Sequence, residues 1–387
     1  MIKKILYDTH EPLNMRCAPM LPKKISDLIV EEAKRIRDKY NVKDALSDLS
    51  PYLSPWVMKL HNDYVKFFNS YFTSPIGFDW NHSATLGLLD TVLQVIPLFD
   101  TKPKVYIDKC QELWKIRQLD NLADKLLSRV GNISEADIVI ITHGTPETGF
   151  SSLSIDIVDK TRKDAIIIVD AAQMWPLLLT ANPWNATINN ILKQRRTAII
   201  GDFHKLSGYG LRTSSDISIP MGLSFVVYSE KLYKERLNQA SKPLLRKNKI
   251  EQEHWDLIYT RKITNGIPSH YIVYPLAFLN VIKNNLKHLV LDSLEVAQKI
   301  REEYQATGEL TFIIKEIEEE KLKRNNNLSM HVLEGQGYKI IQDQVLPIFC
   351  SKGKYFGVVQ VYFVSLLMGK KAAMSYNKKL YQYYFSS

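Results

Sequence analysis

The stretch Ala165-Ile166-Ile167-Ile168-Val169-Asp170 decides the fold. Its apolar, mostly β-branched residues run without alternation and end on a carboxylate. A strand with water on one face alternates polar and apolar residues, whereas a strand covered on both faces does not. The run therefore predicts a central strand of a sheet lying between helices, with Asp170 at its carboxyl end. A second such run, Thr197 to Gly201, leads into Asp202-Phe203-His204-Lys205-Leu206-Ser207-Gly208-Tyr209-Gly210.

The pattern repeats on either side. Val105-Tyr106-Ile107 and Ile138-Val139-Ile140-Ile141 read as strands, with helices over Gln111 to Leu127 and Ser154 to Arg162. Leu223 to Tyr228 reads as another strand, feeding a lysine-rich helix. Buried strands alternating with helices imply an α/β fold with a mostly parallel sheet. Ligands of such sheets bind at the carboxyl ends of the strands. His143, Asp170 and Lys205 all fall there.

Helical spacing also marks Lys23 to Tyr40, through Ile25, Leu28, Ile29, Ala33 and Ile36. Pro51, Pro55 and Pro75 punctuate a looser, aromatic-rich region, and Ala84 to Ile96 is a helix too apolar for the surface. After Lys242 the composition shifts. Helices over Tyr274 to Leu286 and Ser293 to Tyr304 precede a remainder that reads as a small α+β domain. The expected organisation is a lead-in over 1–22, a large domain over 23–285 and a small domain over 286–387.

The 387 residues suffice for one large and one smaller domain, and the apolar and charged fractions, 45% and 24%, are those of a soluble globular protein. No apolar run reaches the roughly 18 residues of a membrane span. The N-terminus turns polar too soon for a secretory signal. Cys17, Cys110 and Cys350 are scattered and odd in number, so neither a metal site nor a disulfide framework is expected. A reducing cytoplasm is the expected compartment. The net charge of +10 is spread widely, with no clustered basic stripe, so nucleic acid is not an expected partner.

Several motifs resemble one family. Thr142-His143-Gly144-Thr145-Pro146-Glu147-Thr148-Gly149 is similar to the H-x-N-x-E-x-G turn of class V aminotransferases and cysteine desulfurases. Ile166 to Gln173 resembles their VDAAQ segment, and His204-Lys205 before Ser207-Gly208-Tyr209-Gly210 resembles their HKxxGPxG signature. Ser83-Ala84-Thr85 resembles the GAT phosphate turn, and Gly266-Ile267-Pro268 resembles GTP. Asn14 to Pro22 resembles the opening of phosphoserine aminotransferases. In order along nearly the whole chain, these motifs resemble the fold-type I pyridoxal phosphate enzymes.

The resemblance implies a cofactor, pyridoxal 5′-phosphate, and a role for each residue. Lys205 forms the Schiff base, and Asp170 pairs with the protonated pyridine nitrogen. Ser83, Ala84 and Thr85 offer a helix N-terminus to the phosphate, the alternative being an ordinary helix cap by Asn81 or Ser83. Gln173 donates to the ring's phenolate oxygen, His204 reaches the phosphate, and His143 stacks on the ring or is a satisfied turn histidine. The family also implies a homodimer with the active site near the subunit interface.

The chain departs from the family pattern at both cofactor and substrate contacts. Pro146 stands where many members carry asparagine, and Ile267 where they carry threonine, with Thr264 nearby. The Asp170 to Lys205 interval is longer than usual, with the excess placed between Asn182 and Arg196. The arginine expected before Tyr376-Asn377 is replaced by Gly369-Lys370-Lys371. Lys370 and Arg212 are the candidates for a substrate carboxylate, with Arg261 also considered. The expected activity is that of an aminotransferase on a small amino substrate. The alternatives are a cysteine desulfurase or other lyase using Cys350, and a non-catalytic protein that keeps the cofactor fold.

Overall fold

The structure, a computed structural model, describes residues 23–42, 55–109, 111, 113–145, 148–207, 210–212, 218–220, 223–240, 269–318, 331–335, 338–342, 347–351 and 354–385. In chain order it begins α1 (Lys23–Tyr40), α2 (Pro55–Asn69), β1 (Ile76–Asn81), α3 (Ala84–Val95), β2 (Lys104–Ile107), α4 (Leu113–Leu126), β3 (Ser128–Arg129), β4 (Ile138–Thr142), α5 (Ile155–Asp159), β5 (Ile166–Asp170), α6 (Trp175–Thr180), α7 (Trp184–Gln194) and β6 (Arg196–Asp202). It continues α8 (Phe203–Ser207), β7 (Gly210–Arg212), β8 (Ser218–Pro220), β9 (Ser224–Ser229), α9 (Glu230–Ala240), α10 (Ser269–Ile282) and α11 (Leu286–Tyr304). Then come β10 (Phe312–Ile317), β11 (His331–Gly335), β12 (Tyr338–Gln342), β13 (Pro347–Ser351), β14 (Lys354–Gln360) and α12 (Lys370–Phe385).

The main sheet has the order β1-β9-β6-β5-β4-β2-β3. β9 runs antiparallel to both neighbours, and the pairings from β6 to β3 are all parallel. Every residue of β4 and β5 is buried, and so is every residue of β6 after Arg196. Full burial of each Ile or Val side chain in them is worth about 1.5–3 kcal/mol. The unbroken apolar runs therefore place these strands at the centre of the sheet, as their pattern predicts.

The region around Pro51 to Pro75 is more regular than its prolines suggest. It contains α2, whose buried Val57, Leu60, Tyr64, Phe67 and Phe68 recur at helical spacing. This helix begins an aromatic cluster that reaches the start of α8. Phe203 packs against Tyr64 (centroids 5.5 Å apart), Trp175 (5.7 Å) and Phe225 (4.7 Å). Gly201 makes room for the Phe225 ring, from which a Cβ there would lie only 2.1 Å. Phe203 thus fixes the start of the short helix that carries Lys205.

Other boundaries differ modestly. The helix expected over Ser154 to Arg162 is only α5, capped by Ser154 Oγ accepting from Ile157 N at 3.3 Å. The two helices expected over 274–286 and 293–304 are α10 and α11, each beginning earlier. The lengthened stretch 182–196 forms α7, whose buried Ile188 and Ile191 join the core.

A second sheet, entirely antiparallel, has the order β10-β14-β13-β12-β11. It docks onto the turn after β4. The Phe312 side chain lies over Gly144 and Gly149, both at positive φ (78° and 67°), where a Cβ would meet its ring at 3.0 Å and its Cβ at 2.9 Å, respectively. Glu309 Oε2 accepts from Ser151 N at 3.2 Å, and Thr311 Oγ1 donates to Met174 Sδ at 3.4 Å. Among the described residues no helix is long and apolar enough to cross a membrane.

Candidate active site

The carboxyl ends of β2, β4, β5 and β6 bring together buried Asp108, His143, Asp170, Gln173, Asp202 and Lys205. Asp170 is the last residue of β5 and pairs in register with Ile200 of β6. Its main-chain oxygen accepts from His143 N at 2.8 Å, and Ala171 N donates to Ile200 O at 3.0 Å. These bonds tie the three strand ends into one rim. Lys205 follows on α8 and is 8% exposed. A lysine so buried beside parallel strand ends is not part of a solvated face.

The Asp170 carboxylate accepts from three groups. Lys115 Nζ lies 2.6 Å from Oδ2, both side chains being 3% exposed. Gln111 Nε2 donates to the same oxygen at 3.0 Å, and Ala172 N donates to Oδ1 at 3.3 Å. Neither Lys115 nor Gln111 figures among the residues singled out from sequence. The available signal is helical phase: Lys115 shares the inward face of α4 with buried Ile116 and Leu119.

His143 is fully buried, with Nδ1 2.9 Å from Ser151 Oγ. Burial lowers its pKa from 6.5 to about 3, so the imidazole is neutral at physiological pH. Its ring lies 5.6 Å from that of Trp184, the first residue of α7. His143 Nε2, Gln173 Oε1 and Thr142 Oγ1 are buried without a hydrogen-bond partner. Each orphaned group costs about 1–3 kcal/mol, so such groups at strand ends point to a ligand that satisfies them.

Ser83 caps α3, its Oγ accepting from Leu86 N at 3.2 Å. The capping alternative thus accounts for its hydroxyl. The first turn of α3, with buried Ala84 and half-buried Thr85, remains available to an anion. Thr145 Oγ1 is 2.9 Å from Thr148 Oγ1 and also accepts from Thr148 N at 3.3 Å, closing the turn after His143.

Other candidates fall elsewhere. Lys370, at the start of α12, is bound by Glu295 and lies 3.3 Å from Asp292, both on α11. The Glu295 carboxylate holds its ammonium above the usual lysine range. That charge joins two helices, which weakens it as a substrate anchor. Tyr376 and Asn377 lie within α12, and the Asn377 amide donates to Ala373 O at 2.8 Å and Ser365 Oγ at 3.3 Å. Cys350 is a strand residue, paired in register with Lys339 and Tyr355. Arg212 lies in β7 and His204 in α8, their side chains outside the described set. Residues 14–22, Pro146, Arg261, Thr264 and 266–268 also lie outside the described residues. Among the described residues no group of three or more His, Cys, Asp or Glu could hold a metal ion.

No protein-family model matches the chain, and no curated protein matches it. Solved structures do. A phosphoserine aminotransferase from Cytophaga hutchinsonii is 12% identical, with 95% of this chain and 98% of that one covered and a TM-score of 0.57. Serine palmitoyltransferase from Sphingomonas wittichii is 10% identical over 96% of this chain and 87% of that one, with a TM-score of 0.55. A cysteine desulfurase from Thermococcus onnurineus is 11% identical over 96% and 95%, with a TM-score of 0.52. Identity this low carries architecture alone. The order and directions of the strands, together with near-complete coverage of these enzymes, give the chain the fold of the fold-type I pyridoxal phosphate enzymes.

Proposed function

We propose that the chain is a pyridoxal phosphate-dependent transferase, specifically an aminotransferase acting on a small amino acid or amine. The observation that carries this is the buried amine of Lys205 on the helix after β6, beside the strand that ends in Asp170. The residues present fit the group at three points. Lys205 is the amine that would hold the aldehyde carbon. The orphaned His143 Nε2 is a polar contact for a ring, and the orphaned Gln173 Oε1, an acceptor, would meet a donor group of the ligand. The N-terminus of α3 with Thr85 suits a phosphate.

When bound, the cofactor supplies an aldehyde that captures an amine and a ring that withdraws electrons from it. The chain's residues do the rest. Once an incoming amine had displaced it from the aldehyde carbon, the freed Lys205 amine would accept and return a proton at the carbon next to the captured nitrogen. Neutral His143 packs as a flat, uncharged wall, with its orientation set by Ser151. The buried rim excludes water. With this function go a large domain over 23–285 and a small one over 286–387, a cytoplasmic location, and a homodimer with the site near its interface. Sedimentation of the pure protein tests the last.

Titration with pyridoxal phosphate tests the function. The wild type should develop a visible absorption band that Lys205→Ala lacks. Borohydride reduction and peptide mapping should place the cofactor on Lys205. A wild type that stays colourless would end the proposal. A screen of amino donors against the loaded protein then separates amino transfer from lyase chemistry.

A further inference from the structure

On the basis of the proposed cofactor, we infer that Gln360, at the end of β14, is a specificity-determining residue. It reads a carboxamide on the amino substrate and directs the site toward carboxamide-bearing amines rather than their carboxylate counterparts.

The Gln360 side chain is 4% exposed, and neither its Nε2 nor its Oε1 has a hydrogen-bond partner. Among the described residues it is the one side chain with two such atoms. Leaving a buried amide unpaired is costly, and folded proteins pair nearly all of them. Register shows where this amide is held. Gln360 stands directly opposite Phe312 of β10, and directly opposed residues project from the same face of a sheet. Phe312 is the residue that packs against Gly144 and Gly149, in the turn after His143. The next residue, Val361, donates its N–H to Thr311 O at 2.8 Å, and the Thr311 hydroxyl reaches Met174 Sδ, one position after Gln173. Gln360 is thereby held beside the two segments that supply His143 and Gln173, whose Nε2 and Oε1 are themselves orphaned. Its neighbours on that face, Phe312, Ile314 and Val358, are apolar and buried.

A primary amide is a donor and an acceptor at once, whichever way it is turned. A carboxylate only accepts. It would pair with Nε2 and leave Oε1 facing another oxygen. A carboxamide on the ligand makes both bonds, its N–H to Oε1 and its C=O to Nε2. A site built to make such bonds discriminates strongly against a ligand that cannot, because its own buried groups are then left unpaired. Lys370, the ammonium expected to meet a carboxylate from the second domain, is held by Glu295 and Asp292 instead.

The test has two readouts on the full-length protein. The first needs no cofactor. Gln360→Met keeps the length and volume of the side chain and removes both orphaned atoms. It should raise the melting temperature of the cofactor-free protein by about 2 °C. A melting temperature that is unchanged or lower, or failure to fold, makes Gln360 a structural residue and overturns the inference. The second readout uses protein loaded with pyridoxal phosphate and follows the visible band as amines are added in pairs: asparagine and aspartate, glutamine and glutamate, alaninamide and alanine. In at least one pair the carboxamide should act at about tenfold lower concentration, and Gln360→Met should lose that preference. The charged groups of the rim are the same in both proteins, so the loss isolates the Gln360 amide. Carboxylates favoured or equal in all three pairs, or a preference that survives in Gln360→Met, overturns the inference and leaves the proposed cofactor standing. A wild type that develops no band overturns the cofactor and the substrate assignment together.

Discussion

Lys115 and Asp170 form an ion pair of 2.6 Å between an α4 side chain and the end of β5, with each partner 3% exposed. Taking two charges out of water is expensive, and their attraction offsets that cost only while both are present. Removing one leaves a buried charge behind. Lys115→Met and Asp170→Asn should each destabilise the cofactor-free protein by about 3–5 kcal/mol. The double variant should cost much less than their sum. Denaturant unfolding of all four proteins gives the coupling directly. Additive effects would mean that the two charges do not sense each other.

Much of the scaffold was legible because burial leaves a mark in sequence. β4, β5 and β6 are covered on both faces, and their residues show it as unbroken apolar runs. β1 leaves no such mark. Its Gly77 and Asp79 break the pattern, yet Asp79 is paired with Arg236 at 2.9 Å. A Cβ at Gly77 would run into the Tyr233 ring at 2.1 Å, so the glycine records a close approach that only the fold reveals. α2 was hidden by its aromatics and prolines, although its buried positions keep helical spacing.

The site was legible in the same uneven way. His143, Asp170, Gln173 and Lys205 follow predicted strands, so their neighbourhood comes from topology. Lys115 does not. No spacing links position 115 to position 170, and a lysine on a helix is ordinarily a solvated residue. Lys370 shows the converse, since its local pattern suggested a substrate contact while Glu295 and Asp292 hold it.

Gly144 should be intolerant of even one methyl group. It sits at φ 78°, where a Cβ costs about 1–2 kcal/mol. That Cβ would also lie 2.6 Å from Met174 Cγ, 3.0 Å from the Phe312 ring and 3.2 Å from Leu310. Overpacking adds about 1–3 kcal/mol. Gly144→Ala should therefore lower stability by several kcal/mol and loosen the second sheet from the turn after β4. Gly131→Ala is the control, because nothing lies within 4 Å of its Cβ. Thermal unfolding of the two variants should separate them clearly, and equal melting temperatures would contradict the packing argument.

His143 gives the fold an acid-sensitive element. Burial lowers its pKa from 6.5 to about 3. The unfolded chain takes up the proton near 6.5, while the folded chain resists it until about 3. The neutral histidine's contribution is therefore complete above pH 6.5 and is lost as the pH falls toward 3. The slope is about 1.4 kcal/mol per pH unit within that window. His143→Gln removes the titration and keeps a polar side chain. The stability difference between wild type and variant should shift steadily across the window. A difference independent of pH would show that His143 is not buried as a neutral base.

Ser83 and Thr85 should separate the two jobs of the α3 N-terminus. Ser83 is in extended backbone (φ −155°) and its Oγ accepts from Leu86 N, so its hydroxyl is used by the helix itself. Losing such a cap costs about 1 kcal/mol. Ser83→Ala should lower stability by that amount with little change in affinity for pyridoxal phosphate. Thr85 is half-buried in the first turn, where the helix dipole and main-chain N–H groups favour a dianion. A hydroxyl donating to a charged group is worth about 1.5–3 kcal/mol. Thr85→Val should therefore weaken cofactor binding about tenfold or more while stability stays within about 0.5 kcal/mol. Fluorescence titration with pyridoxal phosphate and urea unfolding of both variants measure the two effects separately. Unchanged affinity in Thr85→Val would move the phosphate away from this helix, and a large loss in Ser83→Ala would make the cap hydroxyl a direct ligand.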